Sequence, residues 1–129
     1  MVKLTFCLRR RPDLSPEEFR RYWLETHGPL VRERAALLGI RRYQQVHTLD
    51  EPALHAALQA RNGGAPPPFD GIAEAWVDSL EDFRVGRDPA SRQAAAELLA
   101  DERNFIDLPN SPMWLGVEHE FVNEATQRT

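Results

Sequence analysis

Residues 14–30, LSPEEFRRYWLETHGPL, decide the fold of this chain of 129 residues. Ser15 is placed to cap a helix, Pro16 suits the first helical position, and Glu18 completes a capping box with Ser15. Phe19 then opens an apolar stripe at helical spacing. The stretch therefore predicts an amphipathic helix that begins at Pro16 and packs one face against a hydrophobic core.

The same helix contains a proline, Pro29, in its middle. Pro29 has no N–H to donate to the carbonyl of Glu25, and its ring disfavours α geometry at the preceding Gly28. We therefore expect a kink or break at residues 27–29. Gly39 is expected to end the helix, because glycine adopts the left-handed conformation that closes many helices.

Strand patterns lie on both sides of this helix. Residues 2–9 alternate apolar and more polar side chains, and three later segments have a similar character. The four predicted strands are residues 2–9, 40–48, 72–78 and 113–122.

A second helical region separates the last two strands. Ser79 is expected to start it, Gly86 to interrupt it, and Asp88 to restart it through about Ala100, before a loop over residues 101–112. The order βαββαβ is typical of an α+β, ferredoxin-like fold: a four-stranded antiparallel sheet with helices on one face.

The length and pattern predict a single domain over residues 1–129. Residues 49–70 interrupt the regular pattern with a short predicted helix, residues 52–61, followed by Gly63-Gly64. A segment of this length is either a lid over a site or a mobile surface insertion. Residues 123–129 are expected to be a frayed tail.

One face of the predicted sheet lacks a cover. Two helices can cover only one side, and the other side is expected to expose Tyr43, Trp76 or Trp114. Large aromatic side chains are costly to leave in water. A second copy of the chain, packed sheet against sheet, is the simplest cover, so we expect a homodimer.

Composition excludes several classes of protein. The net charge of −4 is spread without a basic face, which argues against nucleic acid as a partner. No apolar run is long enough to span a membrane, and the single Cys7 suits a reducing compartment. We expect a cytoplasmic protein without a signal peptide. One lysine among 16 basic residues favours a bacterial genome rich in G and C.

Several stretches resemble the EthD family. They are residues 8–11 (LRRR), 14–19 (LSPEEF), 22–23 (YW), 27–30 (HGPL), 69–74 (FDGIAE) and 101–107 (DERNFID). The resemblance covers most of residues 2–122 and is weakest over 49–68. It implies a dimeric α+β barrel, related to isomerases, polyketide cyclases and cofactor-free monooxygenases. The family is named after an ether-degradation cluster that also encodes a cytochrome P450.

His27 is the first candidate for catalysis. Histidine titrates near neutral pH and can act as a general acid or base without a large pKa shift. At a break in the helix, a freed backbone carbonyl could hold the imidazole in one tautomer. The alternative is a structural histidine that only satisfies that carbonyl.

Tyr43 and His47 are expected to assist His27. They share one face of the second strand with Gln45, and together offer a base, a hydroxyl donor and an amide. Such a set could remove a proton beside a carbonyl while donors stabilise the enolate oxygen. His47 at the rim of the barrel, without a catalytic role, is the alternative.

Five further residues are predicted to bind a substrate. Glu74 lies in the middle of a strand, where it is either paired with Arg9 or Arg41 or perturbed and functional. The other four are aromatic and could face a flat ligand, although such residues fill cores more often: Trp23, Trp76, Phe105 and Trp114. No motif indicates a metal or a cofactor, and His27, His47 and Glu74 are too few to indicate a metal.

Two hypotheses follow. The first is a cofactor-free isomerase or cyclase that moves protons on a small aromatic, lactone or polyketide-like compound. The second is a non-catalytic carrier for a partner oxidase, and a cofactor-free monooxygenase is a further possibility. The first requires at least two titratable side chains in one enclosed space.

Overall fold

A computed structural model describes residues 1–83 and 88–127. Its strands are β1 (Val2–Leu8), β2 (Arg42–His47), β3 (Gly71–Val77) and β4 (Met113–Gly116). Its α-helices are α1 (Pro16–Tyr22), α2 (Gly28–Arg34), α3 (Pro52–Arg61), α4 (Pro89–Glu102) and α5 (Glu124–Gln127). Short 3₁₀ turns span Leu80–Phe83 and Leu108–Asn110. The predicted interruption at Gly86 lies outside the described residues.

The four strands form one antiparallel sheet in the order β2-β3-β1-β4. The α+β, ferredoxin-like arrangement predicted from the sequence is therefore confirmed. One face of the sheet packs against the helices, and the largest buried side chains lie between these layers: Phe6, Leu8, Phe19, Trp23, Phe105 and Ile106.

The first helix does not break at Pro29. The predicted capping box is present, since the Ser15 and Glu18 side chains each bind the other residue's backbone N–H. Between α1 and α2 the chain forms one π-helical turn, Trp23–His27, and Gly28 keeps helical dihedral angles of −54° and −52°. The extra residue in the wider turn accommodates a proline that has no N–H to donate, so the helix continues.

The end of this helix and the length of β4 also differ from the prediction. Regular helix stops at Arg34, and one looser turn leads to Gly39, whose φ of 70° closes it with Ile40 N–H bonded to Ala35 O. The last strand ends at Gly116 rather than residue 122, where its pairing with β1 stops at Lys3.

Two of the three aromatic residues predicted for the open sheet face lie there, and the third does not. Tyr43 lies opposite Ala75 on the helix-covered face, which corrects its expected position on the open face. Trp76 and Trp114 occupy the opposite face, as predicted. Trp76 is only 5% exposed, because Lys3 and Arg42 lie over its ring. Trp114 is 52% exposed.

Residues 49–70 leave the sheet and return to it. They contain α3, which has no buried residue, and then Gly63 and Gly64, whose φ values of 81° and 94° suit glycine. Arg9 anchors the returning chain through the carbonyls of Pro67 and Pro68. The lid stays a prediction.

The predicted frayed tail contains a helical turn, α5, at Glu124–Gln127. Across residues 1–83 and 88–127, no helix has both the length and the apolar character needed to cross a membrane.

Candidate active site

A cavity of about 100 Å³ lies between the helices and the sheet. Four titratable residues border it, namely His27, Tyr43, Glu74 and Glu102, and most of the remaining lining is apolar. Of these four, Glu74 has its carboxylate bound by Lys3 and Gln44. The cavity adjoins a wider apolar groove of about 540 Å³ between α4 and the sheet, and Glu102 lines both. A small polar end of a ligand therefore fits inside while a larger apolar part lies in the groove.

His27 enters the cavity from the π-helical turn and is 4% exposed. Its Nδ1 lies 2.8 Å from Oδ2 of Asp101. Burial lowers the pKa of His27, although the nearby Asp101 acts in the opposite direction. A neutral imidazole donates one N–H to this carboxylate, which leaves Nε2 as the proton acceptor.

The partner of His27 differs from the one expected. A freed backbone carbonyl was predicted to hold the ring, but the Asp101 carboxylate does so. The carbonyl of Trp23 accepts from Gly28 N–H and from the side chain of Gln45, at 2.9 Å for Gln45 Nε2. The π-helical turn is thus closed by β2.

Asp101 is held from a second side. Its Oδ1 accepts a 2.5 Å hydrogen bond from the Tyr22 hydroxyl and a longer one, 3.4 Å, from Asn104 Nδ2. Burial raises the pKa of Asp101, but the hydrogen bonds from Tyr22 and His27 outweigh burial and lower it overall. Asp101 is therefore a carboxylate that fixes the tautomer of His27.

Glu102 faces the other nitrogen of the same ring. Its Oε2 lies 3.9 Å from His27 Nε2, and its side chain is 17% exposed. Burial, together with the negative charge of Asp101, raises the pKa of Glu102 to about 7, although Arg103 acts in the opposite direction. Glu102 is therefore about half protonated near neutral pH and can donate a proton into the cavity.

Tyr43 presents its hydroxyl to the cavity. The oxygen accepts a 3.3 Å hydrogen bond from Gln45 Nε2. Burial raises the pKa of Tyr43, and the hydrogen-bonding influence of Gln45 and Trp23 only partly offsets burial. Tyr43 thus stays a neutral donor. The structure brings Tyr43 to His27, as the prediction of a shared site requires.

His47 lies outside this cavity. Its ring stacks on Trp23 with centroids 4.2 Å apart, and its Nε2 is 2.7 Å from Gln45 Oε1. Burial lowers the pKa of His47, and the charge of Arg20 adds to the effect. His47 lines a shallow surface depression that also includes Pro29. His47 thus holds Gln45 and Trp23 in place from the side away from the cavity.

Glu74 is an ion-pair residue of the opposite sheet face. Lys3 Nζ and Gln44 Nε2 both bind its carboxylate. Burial raises the pKa of Glu74, but the bonds from Lys3 and Gln44 outweigh burial and lower it overall. The expected arginine partners bind elsewhere, because Arg41 contacts Asp78 and Arg9 contacts backbone carbonyls.

The structure does not bring the predicted aromatic wall together. Phe105 is fully buried and packs against His27 with ring centroids 5.0 Å apart, while Trp76 and Trp114 lie on the far side of the sheet. Of the predicted aromatic binding residues, Trp23 lines the cavity.

Asp101 and Glu102 were missed by reasoning from the sequence. Helix α4 extends to Glu102, two residues beyond the predicted end, and so carries both acids against the π-helical turn. The signal was present in the family-like stretch at residues 101–107. Within residues 1–83 and 88–127, His, Cys, Asp and Glu side chains form no group of three placed to hold a metal ion.

Comparison with known proteins identifies a matching family and several relatives. A family model described as the EthD domain matches residues 11–109. The decarboxylase claH of Passalora fulva is 28% identical over 124 residues, which are 95% of this chain and 79% of the relative. The dehydratase aurZ of Gibberella zeae is 30% identical over 128 residues, 97% of this chain and 82% of the relative. These relatives are fungal, which conflicts with the bacterial origin predicted from arginine content.

Solved structures share the fold. An EthD family protein from Bacillus halodurans aligns with a TM-score of 0.58 at 18% identity, over 92% of this chain and 100% of that chain. An EthD-like protein from Ralstonia eutropha gives 0.57 at 22% identity, over 92% and 94%. A dimeric protein of ferredoxin-like fold from Bacteroides fragilis gives 0.54 at 14% identity, over 89% and 93%.

Proposed function

The chain belongs to the EthD family, and we propose that it is an acid–base lyase that removes carbon dioxide or water from a small aromatic or polyketide-like carbonyl compound. One observation carries the proposal: a neutral His27 and a protonatable Glu102 face each other across 3.9 Å in one cavity. A base and an acid held side by side at one wall of a cavity can act on neighbouring atoms of one substrate, which suits an elimination.

Dehydration uses both groups at once. His27 Nε2 takes the proton from the carbon beside a carbonyl, and the electron pair forms the new double bond. The carbon–oxygen bond of the neighbouring hydroxyl breaks, and the proton of Glu102 leaves with that oxygen as water. Proton return from His27 to Glu102 then restores the site. The 30% identity to the dehydratase of Gibberella zeae supports this variant.

Decarboxylation uses mainly the acid. The carbon–carboxylate bond breaks, carbon dioxide leaves, and its electron pair passes toward the carbonyl oxygen. Glu102 then protonates the carbon, and one proton from solvent recharges Glu102. An apolar cavity favours this step, because the substrate carboxylate loses its charge as it reacts. The 28% identity to the decarboxylase of Passalora fulva supports this variant.

The isomerase or cyclase expected from the sequence is less well supported, because these relatives are named for the loss of carbon dioxide or water. The carrier hypothesis is also weakened. The titratable side chains of His27, Tyr43 and Glu102 converge on one partly open cavity, which is the feature expected of a catalyst rather than a carrier.

The test is a reaction screen without added metal or cofactor. Wild-type protein is incubated with aromatic hydroxy acids and β-hydroxy ketones, and mass spectrometry follows the loss of carbon dioxide or water. We expect turnover that follows a bell-shaped pH profile, with an acid limb below the ordinary histidine pKa of 6.5 and a basic limb near 7. Compounds that bind in the cavity but are never consumed would favour the carrier.

A further inference from the structure

Trp23 places an unsatisfied donor at the cavity. The side chain is fully buried and lines the cavity, and its Nε1–H is one of two buried side-chain nitrogens without a hydrogen-bond partner among the described residues. An unpaired buried N–H is costly in a folded protein unless something else binds it. Trp23 therefore has a donor to offer to a ligand.

Tyr43 places a second donor beside it. Gln45 Nε2 occupies a lone pair of the Tyr43 oxygen at 3.3 Å, which leaves the O–H free to turn into the cavity. The Trp23 N–H acts as a hydrogen-bond donor toward the Tyr43 oxygen and so partly offsets the rise in the pKa of Tyr43. It does not reach the geometry of a full hydrogen bond, so the two donors lie side by side and the N–H stays available to a ligand.

Both donors are held in place by packing. Gln45 Nε2 also donates to the Trp23 carbonyl, at 2.9 Å, and so links the two residues. Stacked His47 lies on one face of the Trp23 ring, and a side-chain carbon at Gly71 would overlap that ring. Donors fixed in this way do not need to reorganise when charge develops on a ligand.

We propose that Trp23 Nε1–H and Tyr43 O–H form a two-donor site for the enolate or phenolate oxygen of the substrate. This inference rests on the proposed lyase, since decarboxylation sends an electron pair toward a carbonyl oxygen and dehydration removes a proton from the carbon beside one. His27 and Glu102 then act on carbon and on the leaving group, while Trp23 and Tyr43 hold the oxygen. Trp23 and Tyr43 are thus catalytic residues that handle no proton.

The cavity size agrees with this division. Its volume of about 100 Å³ is roughly three times the share of one water molecule in liquid water. Only a carbonyl and its neighbouring atoms fit inside, so a flat ring has to extend into the adjoining groove.

The probe is 4-nitrophenol, whose phenolate absorbs at longer wavelength than the neutral phenol. Two donors favour the phenolate, so the wild-type protein should increase the phenolate band at a pH just below the pKa of the free probe. Tyr43→Phe and Trp23→Phe should each weaken phenolate binding by about 10- to 100-fold, the usual effect of losing one hydrogen bond to a charged group. Neutral 4-nitroanisole should bind all variants alike.

The chain offers a matched control. Trp114→Phe changes an indole on the far sheet face, away from the cavity. This variant should bind the phenolate as wild type does. Two other measurements replace Trp23→Phe if it fails to fold. The first is the phenolate affinity of Tyr43→Phe. The second is the indole N–H proton resonance of Trp23 in the wild-type protein, which should move downfield when phenolate binds.

An unchanged phenolate affinity in Tyr43→Phe, or a Trp23 resonance that does not move, would overturn the two-donor site. That result leaves the lyase intact if the wild-type protein still eliminates carbon dioxide or water. Conversely, donor-dependent phenolate binding in a protein that turns over none of the screened substrates would support the site and count against the lyase.

Discussion

Glu74 and Glu102 are both mostly buried, with side chains 13% and 17% exposed, but they lie on opposite faces of the sheet and have opposite properties. Glu74 is bound by Lys3 and Gln44, and these partners outweigh burial and lower its pKa. No lysine or arginine among residues 1–83 and 88–127 forms an ion pair with Glu102, and burial raises its pKa to about 7 despite the charge of Arg103. The comparison shows that burial alone does not make a carboxyl group reactive, because a bound partner can cancel its effect.

The hydrogen bonding of tryptophan differs between the two faces in the same way. Trp76 on the open face lies beneath Lys3 and Arg42 and donates its N–H to Glu118. Trp23 on the helix face keeps an unpaired N–H at the cavity. The indole N–H on the open face is bound by a protein side chain, whereas the indole N–H on the helix face is left for a ligand.

The largest expected effect is on turnover. His27→Gln keeps an amide donor for Asp101 but removes the basic Nε2, so turnover should fall by roughly 10²–10⁴. His119→Gln is the matched control, since His119 is exposed and does not line the cavity. Rates and melting curves of both variants are measured on a substrate found in the screen. Equal rate losses in the two variants would contradict the assignment of His27.

The fold could be predicted from the sequence because its signals are local. Ser15 and Glu18 signal the helix start within four residues, and Gly39 signals its end through a conformation that glycine favours. The π-helical turn was not accessible, because it depends on Gln45 reaching the Trp23 carbonyl from β2. A proline in a helix predicts a local distortion, but contacts with the rest of the structure determine which distortion forms.

The site was accessible only in part. His27 is visible as a titratable residue at an irregular point of a helix, and Tyr43 as a hydroxyl on the same strand face as Gln45. Asp101 and Glu102 lie more than 70 residues from His27 in sequence and meet it only through the packing of α4. No local pattern reports such a contact.

The next expected effect is on stability as a function of pH. Glu102 has a folded pKa above the ordinary 4.5, so the unfolded chain releases this proton first and stability falls as pH rises from about 4.5 to about 7. Glu102→Gln removes this loss, so above pH 7 the variant should gain up to about 3 kcal/mol relative to wild type. Glu74 has a lowered folded pKa, so its stabilisation is present above 4.5 and is lost on acidification through the folded value. Glu74→Gln should therefore be less stable than wild type at neutral pH.

Urea unfolding of wild type and both variants across this pH range measures the two effects. The stability gap between Glu102→Gln and wild type should widen as pH rises, and the gap for Glu74→Gln should close as pH falls. Parallel curves for the two variants would show that the faces do not differ in the proposed way.

The smallest expected effect concerns assembly, which we propose to be a homodimer through the open sheet face. Trp114 on the β4 edge is half-exposed there, and Val46 on the opposite β2 edge of the same face is also half-exposed. Trp114→Glu should weaken association by about tenfold or more, as loss of an interface aromatic usually does. Light scattering should give twice 14.8 kDa for wild type. A wild-type monomer at micromolar concentration would exclude the dimer.

The most direct test is the titration of Glu102 itself. Infrared difference spectra of wild type against Glu102→Gln, recorded across pH, isolate the band of the protonated carboxyl group. Glu102 should lose its proton with an apparent pKa near 7, while His27 stays neutral at pH 7. A Glu102 that ionises near the ordinary 4.5 would contradict the proposed acid–base pair, because the cavity would then hold no proton donor opposite His27.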